Sequence, residues 1–132
     1  MAHIEASLRN ILISATAVVS VYGSAVYCIE APQEQADPYA VLTIVSDPVS
    51  PLAFGAYVNA RAPRVQIDSY SQSSVTCIEG AEAILSALRG YQGSASGIQI
   101  ELITVDNIRQ LREPDTGWFH SAVDVIVEYV EA

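Results

Sequence analysis

The chain has 132 residues, 51% of them apolar and 16% charged, with 15 acidic against 6 basic side chains and a net charge of −9. That apolar content excludes a disordered chain, and the length suits one domain, 1–132, able to bury a core without a disulfide or metal. All six basic residues are arginine. So acidic a chain has no electrostatic footprint for gripping nucleic acid, although an acidic wall can border DNA and repel it.

Ile4, Leu8, Ile11, Leu12, Ala15, Val18 and Val19 recur at three- and four-residue steps and predict one amphipathic helix, ended by Gly23. Residues 10–29 carry no formal charge and loosely imitate a signal peptide. Glu5 offsets Arg9, however, and Tyr27 before Cys28 is a poor cleavage context. Ser14, Thr16, Ser20, Gly23 and Ser24 are also too polar for a membrane span. The amphipathic reading is preferred, with an exported binding domain as its rival.

Val26 to Ile29 reads as a short strand, closed by Pro32, and residues 33–38 as a polar connection. Residues 39–46 are β-branched and apolar on both faces, as in an interior strand. Residues 47–63 hold Pro48, Pro51, Gly55 and Pro63 without a period, so they read as a long connection. Its apolar and aromatic residues Leu52, Phe54, Tyr57 and Val58 suit either a partner surface or a hairpin folded back on the domain.

Arg64 to Tyr70 alternates, Val65 and Ile67 against Gln66 and Asp68, as a half-buried strand does. Serines 71, 73 and 74 offer N-cap oxygens, and Thr76 with Glu79 matches a capping box. Val75, Ile78, Glu82, Leu85 and Leu88 mark a second helix, widened by Ala81 and Ile84, and the Gly/Ser-rich residues 90–97 end it as a flexible segment. Ile98, Ile100 and Leu102 alternate, less cleanly toward Arg112. Residues 114–117 signal a turn, and Val123, Val125, Val127 and Tyr129 alternate again, predicting an antiparallel hairpin. The expected class is α+β, in the order α-β-β-β-α-β-β. A mixed or antiparallel sheet of about five strands would carry two helices on one face.

Little in the chain points to catalysis. Cys28 and Cys77 lack CxxC or Cys/His spacing, and no GxSxG, HExxH, Walker or GxGxxG motif occurs. Cys77 near a helix start could in principle meet His120 as a small cysteine-dependent enzyme would require, but no local signature supports the pair. Asp106, Glu113 and Asp115 match no calcium loop and read as solvated turn charges, so no metal or cofactor is expected. Arg109 and Arg112 either serve solubility or fork onto carboxylates of a neighbouring subunit.

Four stretches in order carry a resemblance. They are Val21-Tyr22-Gly23-Ser24-Ala25-Val26-Tyr27 after the opening helix, Ala31-Pro32-Gln33 followed by Pro38-Tyr39-Ala40-Val41-Leu42, Arg64-Val65-Gln66-Ile67-Asp68-Ser69-Tyr70 before the serine-capped helix, and Trp118 to Tyr129 at the close. Together they resemble the tail terminator (tail completion, tail-to-head joining) family of siphovirus phages. The segment Cys77-Ile78-Glu79-Gly80-Ala81 departs from that pattern, because Gly80 weakens a helix by roughly 1 kcal/mol relative to alanine. The resemblance implies a homohexameric ring at the head-proximal end of the virion tail. It would be assembled in the bacterial cytoplasm and bind the tail tube protein and a head-completion or connector protein. DNA would pass through it without specific binding, and no membrane would be involved. Phe54, Tyr57 and Arg61 are then the expected tube or subunit contacts, with Arg109 and Arg112. A head-side connector stopper is the alternative within virion proteins.

Overall fold

The opening helix is not one helix. In the computed structural model, whose described residues are 4–28, 37–46, 60–95, 97–112 and 117–131, it is divided into α1 (Ile4–Ser14) and α2 (Thr16–Tyr22). Ala15 between them is extended (φ −85°, ψ 121°), and the two axes meet at 89°. The bend turns Val18 and Tyr22 into the core beside the third helix and leaves Val19 on the surface. Among the described residues, no single helix is long and apolar enough to cross a membrane.

The remaining elements are β1 (Val26–Cys28), β2 (Tyr39–Ser46), β3 (Ala60–Arg61), β4 (Arg64–Ser71), α3 (Ser74–Leu88), β5 (Gly93–Ala95), β6 (Ile98–Arg112) and β7 (Phe119–Glu131). They form one seven-stranded sheet in the order β1-β2-β4-β7-β6-β5, with β3 pairing β7 beyond the end of β4. β1 runs parallel to β2 and every other pair is antiparallel, so the sheet is mixed. The α+β class and the β6–β7 hairpin are as expected. Against the expected two helices and about five strands, the described residues hold three helices and seven strands, because α1 and α2 bend apart and the short β3 and β5 join the sheet. The Gly/Ser segment contains β5, whose backbone pairs with Ile98 to Ile100 although its side chains give no strand pattern.

Period-2 alternation assigns the two faces. Ala40 and Leu42, Val65 and Ile67, and Val123, Val125 and Val127 turn toward the helices, where they meet Leu8, Leu12, Ile84 and Leu88 in one core. Ser73 caps α3, its hydroxyl accepting from the Thr76 amide, which selects one of the candidate caps and starts the helix at Ser74.

Gly80, the anomaly in the helix pattern, has a packing reason. A side chain there would drive its Cβ into the Tyr22 hydroxyl and press on Ser69 Oγ. Tyr22 is buried between α2, α3 and β4 and hydrogen-bonds Ser69. The glycine is where α3 approaches that phenol most closely.

Burial pushes the Tyr22 hydroxyl well above the ordinary phenol range, only partly offset by the bond to Ser69. The fold therefore holds that proton more tightly than the unfolded chain does. Its contribution is complete below about pH 10, the unfolded value, and is lost as pH climbs past it. In urea melts at about pH 9 and about pH 11, the protein should lose more stability than its Tyr22→Phe variant does. Equal losses would contradict the assignment.

Candidate assembly surface

The sheet face turned away from the helices is built by the partners of the core strands. Along β4 it carries Arg64, Gln66, Asp68 and Tyr70, and opposite them on β7 stand Ile126, Asp124, Ala122 and His120. Alternation marks this as the wet face, yet Asp68 and Asp124 are only 7% and 9% exposed. A carboxylate cannot donate, so His120 Nε2 donates to Asp68 Oδ1 at 2.6 Å, and Gln66 Nε2 donates to the same oxygen at 2.8 Å. Arg109 donates to Gln66 Oε1 at 3.2 Å and stands 3.6 Å from Asp124 Oδ2. Arg64 pairs with Asp106, whose hydrogen bond holds the guanidinium even more firmly protonated than usual. Asp124 Oδ1 is buried with no hydrogen-bond partner among the described residues.

Aromatic rings continue the band. Tyr70 stacks on His120 with centroids 4.5 Å apart, Tyr39 stacks on Tyr70 at 4.8 Å, and Trp118 meets Tyr39 edge-on at 5.6 Å. Paired charge and stacked rings order this face.

The edge of the sheet has a different character. β5 covers β6 at Ile98 to Ile100, and the main chain of Gly90 and Tyr91 bonds that of Ile103, so it is from Thr104 to Arg112 that no strand lies beside its outer edge among the described residues. Register shifts at Glu101 and Asp106 interrupt the pairing with β7, and beyond them Ile108 and Leu111 are exposed large apolar side chains on opposite faces of the hairpin. On the helix side a groove of about 450 Å³ runs along this edge, lined by Leu85, Arg89, Ile103, Thr104, Val105 and Ile108. At the other edge of the sheet, β1 covers β2 only at Ala40 to Leu42. The outer edge of Thr43 to Ser46 is likewise without a strand among the described residues, and the bulged Val45 is 53% exposed. An edge that is not blunted or covered can pair with another chain.

Of the contact residues named from sequence, Phe54 and Tyr57 lie outside the described residues. Arg61 lies on β3 opposite Tyr129, half-buried. Arg109 and Arg112 lie on β6 opposite Ala122 and Phe119. Seven strand steps along β7 separate the partners of Arg61 and Arg109, about 23 Å. The structure thus brings Arg109 and Arg112 onto one edge and Arg61 elsewhere. Ile108, Leu111 and Val45 were not singled out by sequence. Exposure of an apolar residue on an irregular strand leaves no periodic signal.

Cys77 and His120 are on opposite faces of the sheet. Cys77 Sγ donates to the Ser69 carbonyl at 3.4 Å and lies 3.3 Å from Ser121 Oγ on the helix side, whereas His120 faces Asp68 on the other. The two cannot act together. Cys28 is half-buried, and burial raises its thiol above the usual range despite the opposing charge of Arg9. Alkylation at pH 8 with mass detection should label the native protein slowly at Cys28 and, before unfolding, not at Cys77. Rapid labelling of Cys77 would contradict its placement. No group of three or more His, Cys, Asp or Glu that could hold a metal occurs among the described residues.

The chain matches the family described as Tail completion protein gp17 over residues 6–129. A solved chain from the virion of a native gene transfer agent particle is 17% identical, with a TM-score of 0.76 over 98% of this chain and 95% of that one. A second solved structure is 10% identical, with a TM-score of 0.56 over 95% and 93% of the two chains. At these identities the likeness is one of fold. Comparison with curated proteins gives no match. The family match spans nearly every element of the sheet and all three helices, and the chain belongs to the tail completion protein gp17 family, structural proteins of the phage tail.

Proposed function

We propose that the protein is a tail terminator: six copies close as a ring on the finished tail tube, end its polymerisation, and offer their other face for head joining. The observation that carries this reading is the match to the tail completion family over residues 6–129, in a sheet whose outermost strands among the described residues, β1 and β5, differ from each other. Two different edges on one chain suit head-to-tail association, which closes as a ring when the rotation permits and otherwise runs on as a filament. The work is association, with no bond made or broken. The acidic balance of 15 to 6 suits a ring that DNA crosses without sticking.

In this reading Phe54, Tyr57 and Arg61 contact the tube or an adjacent subunit, and Arg109 and Arg112 address carboxylates of a neighbour. Arg109 is held by Gln66 and Asp124 in its own subunit yet remains about half exposed, so it keeps donors to offer. The ring acts in the virion at the head-proximal end of the tail, after assembly in the host cytoplasm.

The test is a phage lysate lacking the protein. Tails should grow to irregular lengths, and purified protein added during assembly should restore uniform ones. Uniform tails that merely fail to join heads would contradict the reading and favour a head-side stopper.

A further inference from the structure

We propose that the outer face of α3 pairs antiparallel with α3 of a second copy, giving the free protein a weak two-fold dimer. The helix is apolar on two faces, and the core takes one of them. Cys77, Gly80, Ala81, Ile84 and Leu88 turn inward and are buried. Val75, Ile78, Glu82, Leu85 and Arg89 form a second stripe, whose alternating steps of three and four residues are those of a two-helix seam. Val75 is 62% exposed and Ile78 36%, and Leu85 lines the groove over β6 together with the exposed Ile108. On its other flank, at Gly80, α3 already packs against α2. A helix apolar all round belongs between neighbours on every side, and here the stripe over the groove stands at the surface.

Charge names the occupant and its direction. Glu79 and Glu82 stand midway along this exposed side of α3, and Arg89 stands at its C-terminal end. A parallel copy would set Glu82 on Glu82 and Arg89 on Arg89, like charge on like. An antiparallel copy, placed so that Ile78 faces Arg89 of the second chain, brings each Arg89 beside Glu79 and Glu82 of the other and lays Glu82 across Leu85. Ile78 and Leu85 then supply the apolar contact, and the Arg89–glutamate pairs fix direction and register more than they add affinity. One stripe thus provides both halves of the contact, as a two-fold interface requires. Two facing helices of about four turns bury less than a standard interface, so the dimer dissociates in the micromolar range or above. A two-fold contact stops at two copies, so this surface is separate from the head-to-tail contacts of a ring, and it covers the stripe while the protein is free of the tail.

The test is sedimentation equilibrium of the full chain without tails, over a range from about 10 to about 500 μM, where monomer and dimer should exchange. Ile78→Asp lies at an exposed position and should keep the wild-type circular dichroism while weakening the dimer about tenfold or more. Arg89→Glu in one chain, and Glu79→Arg with Glu82→Arg in another, should each weaken it severalfold. An equimolar mixture of those two variants should restore a mixed dimer, because the facing charges are then opposite in sign. Loss in both variants without recovery on mixing would overturn the antiparallel pairing and the proposal with it. A protein that stays monomeric throughout, or a dimer that Ile78→Asp leaves undiminished, would overturn it as well. Rings on tail tubes should survive Ile78→Asp, and their loss in that variant would overturn the proposal by assigning the stripe to the ring or the tube.

Discussion

Replacing Gly80 with valine should lower stability by about 3 kcal/mol, a large share of the about 5–15 kcal/mol typical of a domain. The new Cβ falls onto the Tyr22 phenol and against Ser69 Oγ, and the two γ-methyls add bulk where α3 already touches both. Tyr22 cannot simply swing aside. It is 5% exposed, and moving its hydroxyl would leave Ser69 Oγ with only its bond to the Cys77 carbonyl. Gly80→Ala is the graded control, since alanine gains roughly 1 kcal/mol of helix propensity but still meets the phenol, so a net loss of about 1 kcal/mol is expected. In urea the valine variant's midpoint should fall by about 2 M at a slope of about 1.5 kcal/mol/M. A midpoint equal to or above that of the parent would show that α3 and Tyr22 are not in close contact.

His120→Ala should destabilise by about 2–4 kcal/mol, through a stranded carboxylate as much as a lost contact. Asp68 is 7% exposed, and without the imidazole its Oδ1 keeps only the Gln66 amide. The stack Tyr39–Tyr70–His120 also loses its terminal ring, worth about 0.5–1.5 kcal/mol. Because the stranded charge dominates, adding Asp68→Ala should recover part of the loss, so the double variant is more stable than the two single effects predict by addition. Strict additivity in denaturant melts would contradict the coupling.

Where one face of an element is dry, its pattern was readable. β4 announces itself by Val65 and Ile67, and the closing strand by Val123, Val125 and Val127, which meet the core as alternation requires. The β6–β7 hairpin follows from the closing strand's pattern, that of Ile98, Ile100 and Leu102, and the turn signal between them. What stayed hidden has physical causes. The break at Ala15 has no proline or glycine, since tertiary packing imposes it while the apolar stripe runs on through Val19. Beyond Leu102 the alternation of β6 blurs, because each register shift moves the phase by one residue: Ile103 and Val105 still meet the core, but past the second shift Ile108 and Leu111 are exposed. The His120–Asp68 pair was invisible, because alternation places both on a face called wet and cannot say that the pair is buried there. For the assembly surface, Arg109 and Arg112 were legible as forks in search of carboxylates, but that they share an open edge with Ile108 depends on how far β5 reaches. Phe54 and Tyr57 keep their sequence-based reading only.

The work proposed for this chain is to close into a collar on a tube end. It is tested most directly by electron microscopy of purified tail tubes incubated with the protein, paired with native mass spectrometry of the complex. The account expects one ring of fixed copy number at one end of each tube and none along its length. Solitary subunits beside bare tube ends, or subunits scattered along the tube wall, would contradict it.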